Sequence, residues 1–189
     1  MSFYRRRLPH WQPEGVPIFV TWRLHGSLPR ATHVFVADSL PEGRRFLLMD
    51  RKLDSASTGP TFLKHPQVAT AVVETLFIAG KKWRLNDLFA WVIMSNHVHI
   101  LLEPNKPLRE VTRAVKNTSA RQANLILGRT GQRFCQDESY DRWVRDAKEF
   151  DSITRYIESN PVQAGLVELA EMWPWSSASR AWQVGDLPH

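Results

Sequence analysis

Two apolar runs, Leu88–Met94 (LFAWVIM) and His97–Glu103 (HVHILLE), are separated by only Ser95 and Asn96. Two residues suffice for a tight reversal and are far too few for a crossover, so the runs predict adjacent antiparallel strands. Around this hairpin, Pro17–Leu24 (PIFVTWRL) alternates Phe19, Thr21 and Arg23 with Val20, Trp22 and Leu24, the pattern of a further strand. His65–Lys82 carries Val68, Val72, Thr75, Leu76 and Ala79 at helical spacing and closes on Gly80 and two lysines. Leu108–Leu127 predicts a long helix with Leu108, Val111, Val115, Gln122, Leu125 and Ile126 on one side and Arg109, Arg113 and Lys116 on the other. Arg142–Val144 predicts a short fourth strand. Asp146, with Glu149 three residues on, caps a last helix to about Ser159, which Pro161 is expected to stop.

The order β, α, β, β, α, β, α predicts an α+β fold: a ferredoxin-like or RRM-like antiparallel four-stranded sheet with helices on one face, plus a C-terminal helix bearing Tyr156. Between Gly26 and Pro60 the pattern is broken by Pro29, Pro41, Gly43 and Gly59, and only Arg44–Leu53 could hold a short helix. Residues 30–60 therefore read as an insertion or connection. The aromatic stretch Met172-Trp-Pro-Trp-Ser-Ser-Ala predicts that the tail, residues 168–189, packs back on a single domain spanning 1–189.

A chain of 189 residues with 43% hydrophobic and 23% charged side chains has globular composition, which excludes the disordered and fibrous classes. No apolar run approaches the roughly 20 residues of a membrane span, and the basic N-terminus lacks a signal core, so a cytoplasmic protein is expected. Cys135 is the single cysteine and excludes an intrachain disulfide or a multi-cysteine zinc site. The net charge of +6 is unevenly spread. Residues 1–135 hold 20 basic and nine acidic side chains, whereas residues 136–189 hold five and ten. An anionic partner would thus meet the front and middle of the chain, although a solvated basic surface has the same composition.

His97 and His99 lie two apart on a strand, so both imidazoles leave one face of the sheet and can converge on one ion. A bare His-x-His also arises as two half-exposed histidines. No third histidine has companion spacing, which leaves a zinc hydrolase poorly supported. Tyr156 and Asn160 are four apart on the last helix, about 40° apart viewed down its axis. Taken singly, Tyr156 could be a core-edge tyrosine and Asn160 a C-terminal cap.

Together these residues carry a resemblance. Met94-Ser-Asn-His97-Val98-His99-Ile-Leu-Leu-Glu103 and Tyr156-Ile157-Glu-Ser-Asn160-Pro161-Val162-Gln163-Ala164-Gly165-Leu166-Val167 resemble the REP-associated group of single-tyrosine HUH transposases. Trp173-Pro-Trp175-Ser-Ser, residues 134–146 and the opening Pro-His-Trp-Gln-Pro-Glu-Gly resemble that family too, with residues 30–60 the least similar. The resemblance implies that His97, His99 and Asn160 hold one divalent ion, Mg²⁺ or Mn²⁺. It also implies that Tyr156 attacks a phosphate of single-stranded or hairpin DNA at palindromic repeats, giving a 5′-phosphotyrosine and a free 3′-hydroxyl. Gln163 stands where relatives more often have a basic residue. Arg109, Arg113 and Lys116, with Arg5, Arg6 and Arg7, are the candidate DNA-phosphate contacts, though both sets also serve solubility. The family implies a monomer or a homodimer. The competing function is a domesticated, sequence-specific single-stranded nucleic-acid-binding protein that does not cleave.

Overall fold

In the computed structural model, which describes residues 2–5, 9–12, 15–28, 42–55 and 59–182, the Ser95-Asn96 turn joins the two strands as their spacing requires. The described elements are β1 (Ser2–Arg5), β2 (Pro9–Gln12), β3 (Ile18–Arg23), α1 (Glu42–Asp54) and α2 (Pro66–Phe77), which runs on into a π-helical turn, Ile78–Lys82. They continue with β4 (Asn86–Ile93), β5 (His97–Pro104), α3 (Leu108–Ile126), β6 (Tyr140–Trp143) and α4 (Ala147–Gln163). β1 and β2 form a separate hairpin, and the other strands form one sheet in the order β4-β5-β3-β6 with every pairing antiparallel. This is the expected ferredoxin-like order. Among the described residues no helix is long and apolar enough to cross a membrane.

Strand alternation sorts the side chains into two layers. Ile18, Val20, Trp22, Val98, Ile100 and Leu102 pack under α2 and α3 in the larger core. Phe19, Ala90, Val92, Met94 and Leu101 face the other way, toward Phe46 of α1 and Phe150, Ile153, Tyr156 and Ile157 of α4. Helices α2 and α3 share one face, as expected, and the tyrosine-bearing α4 lies on the opposite face beside α1. The insertion thus contributes a covering helix.

Two local expectations are corrected. Leu125 and Ile126 are 61% and 38% exposed, and the buried line of α3 instead runs Leu108, Val111, Val115, Ser119, Ala123. That line is the i, i+4 ridge facing α2, and small residues at its far end let the two backbones approach. The second correction concerns Pro161, which does not stop α4. It costs one backbone bond in the last turn, and the helix continues to Gln163. Gly165, at φ 69°, ends it: its N–H donates to Val162 O at 3.0 Å and that of Leu166 to Pro161 O at 2.9 Å. This paired Schellman arrangement needs a left-handed residue, which glycine supplies without strain. Asn160 therefore stays helical and inward-facing. Asp146 accepts from Glu149 N at 2.8 Å and starts the helix where the sequence places its cap.

Beyond α4 the chain returns along the edge of β4. Ile93 N donates to Trp175 O and Ser177 N to Trp91 O, both at 2.9 Å, and Trp173 Nε1 donates to Ile93 O at 3.0 Å. These bonds occupy an otherwise open sheet edge.

Lys116 is only 9% exposed. Its ammonium donates to Gln136 O at 2.7 Å, Asp137 O at 2.9 Å and Ser139 Oγ at 3.2 Å, tying the α3–β6 connection to the helix. Lys116→Met is therefore expected to cost about 2 kcal/mol of stability, the magnitude of hydrogen bonds made by a charged donor, in urea denaturation. DNA affinity should change little.

Candidate metal centre

On β5 the two histidines sit side by side on the face shared with Leu101, while Val98 and Ile100 enter the larger core. His97 stands opposite Arg23 and His99 opposite Thr21 in the register with β3. Their rings are 4.7 Å apart, and they are 1% and 0% exposed. Each ring is held through Nδ1. His97 Nδ1 is 2.7 Å from Asn96 Oδ1, and His99 Nδ1 is 2.7 Å from Thr21 Oγ1. The Asn96 amide orientation is set independently, because its Nδ2 donates to Leu53 O at 2.9 Å. Asn96 Oδ1 is thus an acceptor, His97 Nδ1 carries the proton, and His97 Nε2 presents a lone pair.

Both Nε2 atoms point at a residue that the sequence reading does not include. Asp50 of α1 places Oδ1 3.1 Å from His99 Nε2 and 3.5 Å from His97 Nε2. One donor atom from each of Asp50, His97 and His99 lies within 4.8 Å of the others, and all three residues are buried. Asp54, one turn on, has Oδ1 3.8 Å from His97 Nε2. From the opposite side α4 contributes its pair. The Tyr156 hydroxyl donates to Asp50 Oδ2, and Asn160 Nδ2 donates to the same oxygen at 3.4 Å. Phe19, Phe46 and His99 surround the phenol ring, with centroids 6.1, 6.2 and 5.7 Å away.

Burial lowers His97, and the neighbouring His99 lowers it further, to about 3 despite Asp50, so the imidazole is neutral. For Asp50 burial acts to raise the carboxyl. His99, His97 and the Tyr156 hydroxyl outweigh it and hold Asp50 ionised well below the usual carboxylate range. Burial, then the charge and hydrogen bond of Asp50, pushes the Tyr156 phenol far above its ordinary value. The neutral His97 turns the lone pair of Nε2 toward Asp50 Oδ1 at 3.5 Å, a pairing that a cation between them would make favourable. His97 Nε2 and Asn160 Oδ1 are buried without a hydrogen-bond partner, which buried polar atoms rarely are. Asp50, His97 and His99 thus form a buried group of one carboxylate and two imidazoles that could hold a metal ion.

Burial, then the charge of Asp50, pushes the Asp54 carboxyl up to about 7. An acid with a raised folded pKa holds its proton more tightly when folded. Its contribution is complete below the unfolded value of about 3.9 and is lost as pH rises toward the folded one. Metal-free Asp54→Asn should therefore melt above wild type at pH 8 and match it near pH 4, by differential scanning calorimetry.

The fold brings His97, His99, Tyr156 and Asn160 to one point. It puts Arg109 and Arg113, both exposed, on α3 and so across the sheet from the histidines. Lys116 is committed to the β6 connection. Arg5 ends β1, and Arg6 and Arg7 lie outside the described residues. Asp50 and Asp54 were concealed in the stretch read as a connection. Their signal is the spacing Phe46, Asp50, Asp54, which puts one ring and two carboxylates on a single stripe once the short helix allowed at Arg44–Leu53 runs on to Asp54.

No protein-family model and no curated protein sequence matches the chain. Among solved structures, it is similar to a REP-associated tyrosine transposase bound to a REP hairpin, with a TM-score of 0.56 and 20% identity over 94% of this chain and 82% of that one. A proposed transposase from Deinococcus radiodurans R1 aligns with 80% of this chain and 98% of its own, at 15% identity and a TM-score of 0.39. The first likeness establishes the fold: the four-stranded antiparallel sheet with its four helices has the architecture of the REP-associated transposase.

Proposed function

We propose that this chain nicks and rejoins single-stranded DNA at hairpin-forming repeats, with Tyr156 as nucleophile beside an ion held by His97, His99, Asp50 and Asn160. The observation that carries this reading is the meeting of Tyr156 with the two histidines around one carboxylate. Mg²⁺ or Mn²⁺ there would supply Lewis-acid polarisation of a scissile phosphate.

The protein's own side chains account for the remaining requirements. Asn96 and Thr21 orient the imidazoles, and Phe19 and Phe46 confine the phenol ring. In the reaction the Tyr156 oxygen forms a bond to phosphorus and the P–O3′ bond breaks. The phenol proton passes along its hydrogen bond to Asp50 Oδ2 and on to the departing 3′ oxygen, which becomes a hydroxyl, so Asp50 ends the step ionised as it began. Retaining the phosphoester on Tyr156 conserves the bond energy, so the 3′-hydroxyl of another end can reverse the step. The histidines lie beneath α1, so DNA reaches them only when that helix shifts.

The reading is tested with a labelled single-stranded hairpin oligonucleotide and Mn²⁺ on a denaturing gel. A covalent protein–DNA band supports it. Binding without cleavage in any divalent metal supports the non-cleaving alternative, and cutting without an adduct marks a hydrolase that uses water.

A further inference from the structure

Asn96 is the second residue of a two-residue hairpin turn, a position normally in solvent, yet it is 2% exposed. Its backbone carbonyl and both polar atoms of its side chain are engaged. Its carbonyl accepts from Leu24 N at 2.8 Å and fixes the turn against the end of β3. Its side-chain oxygen accepts from His97 Nδ1, and its side-chain nitrogen donates to Leu53 O. Leu53 belongs to the last turn of α1, whose carbonyls have no partner inside the helix. One planar amide thus touches both a histidine of the ion site and the helix that brings Asp50 to it.

We propose that Asn96 is a positioning residue that couples ion binding to the docking of α1. Its oxygen keeps His97 in the tautomer that offers Nε2, and its nitrogen holds the last turn of α1 so that Asp50 meets that atom. The two functions reinforce each other because the amide is rigid: turning it to serve one partner breaks its bond to the other. An ion at Asp50 and His97 therefore tightens α1, and a loosened α1 weakens the ion. This inference rests on the proposed ion site, and its failure can be separated from failure of that site.

The test measures Mn²⁺ affinity by titration calorimetry and amide exchange across residues 42–54 by mass spectrometry, with and without Mn²⁺. Wild type should bind Mn²⁺ and show slowed exchange over α1 on binding. Asn96→Ala should lose about 10- to 100-fold in affinity, the usual effect of removing a partner of a metal-bound histidine, and should lose the Mn²⁺-dependent slowing. Asn96→Asp keeps the acceptor for His97 and loses the donor to Leu53, so it should lose less affinity than Asn96→Ala while α1 still exchanges fast. A merely structural asparagine would lower the melting temperature and leave the Mn²⁺-dependent part of the exchange intact. Asn96→Ala with wild-type affinity and wild-type slowing overturns the proposal and leaves the ion site standing. Absence of Mn²⁺ binding by wild type removes the ion site itself. The wild-type exchange needs no variant to fold, and unchanged α1 exchange on Mn²⁺ binding refutes the coupling.

Discussion

Tyr156→Phe should form no covalent adduct with hairpin DNA, and its strand cleavage should fall by on the order of 10⁴-fold or more, while DNA affinity stays within about twofold. The separation follows from where the phenol sits. Its ring is enclosed by Phe19, Phe46 and His99, contacts that phenylalanine reproduces, so the backbone of α4 has no reason to move. Only the oxygen is lost, and with it the hydrogen bond to Asp50 Oδ2. Asn160 Nδ2 remains as a donor to that oxygen, so a stability loss of about 1 kcal/mol is expected. Denaturing gels with labelled oligonucleotide measure the chemistry, and fluorescence anisotropy measures the binding. Equal cleavage by wild type and variant would remove Tyr156 from the reaction.

Asp50→Asn should reduce Mn²⁺ affinity by about 100-fold or more, at the top of the range for disturbing a metal site, because it removes the one buried anion among the donors. The substitution keeps the shape and the acceptor for the Tyr156 hydroxyl, so α1 can still dock. It removes the negative charge that would balance a divalent ion at the two imidazoles. Without that charge the phenol pKa should also fall back toward its ordinary value, since Asp50 is, after burial, the main influence raising it. Titration calorimetry with Mn²⁺ checks the affinity, and ultraviolet difference spectra check the phenol. Wild-type affinity in Asp50→Asn would leave the ion to the histidines and Asn160 alone.

The legibility of the site divides along a physical line. His97 and His99 belong to a strand whose alternation is local, so their shared face follows from two residues of spacing. Tyr156 and Asn160 follow likewise from one turn of helix. Asp50 could not be read in this way. It approaches the histidines from α1, nearly 50 residues away in sequence, through a segment whose prolines and glycines mask its helical spacing. Lys116 shows the converse case. Helical spacing grouped it with Arg109 and Arg113, but three oxygens from residues 136–139 reach its ammonium only after the chain folds back. Leu125 and Ile126 fit an apolar stripe by spacing alone, yet the close approach of α2 selects Ser119 and Ala123 for burial.

What the amino-acid sequence determined by itself was the set of elements and their order: the hairpin at Ser95-Asn96, the flanking helices, and the faces on which His97, His99, Tyr156 and Asn160 stand. Periodicity and turn chemistry are properties of neighbours along the chain, and they carry that information without the fold. Tertiary structure alone decided that the two faces meet, that Asp50 joins the histidines in one buried group, and that Asn96 touches both His97 and α1. Those outcomes depend on distances between residues remote in sequence, where packing and the need to satisfy buried polar atoms choose the partners.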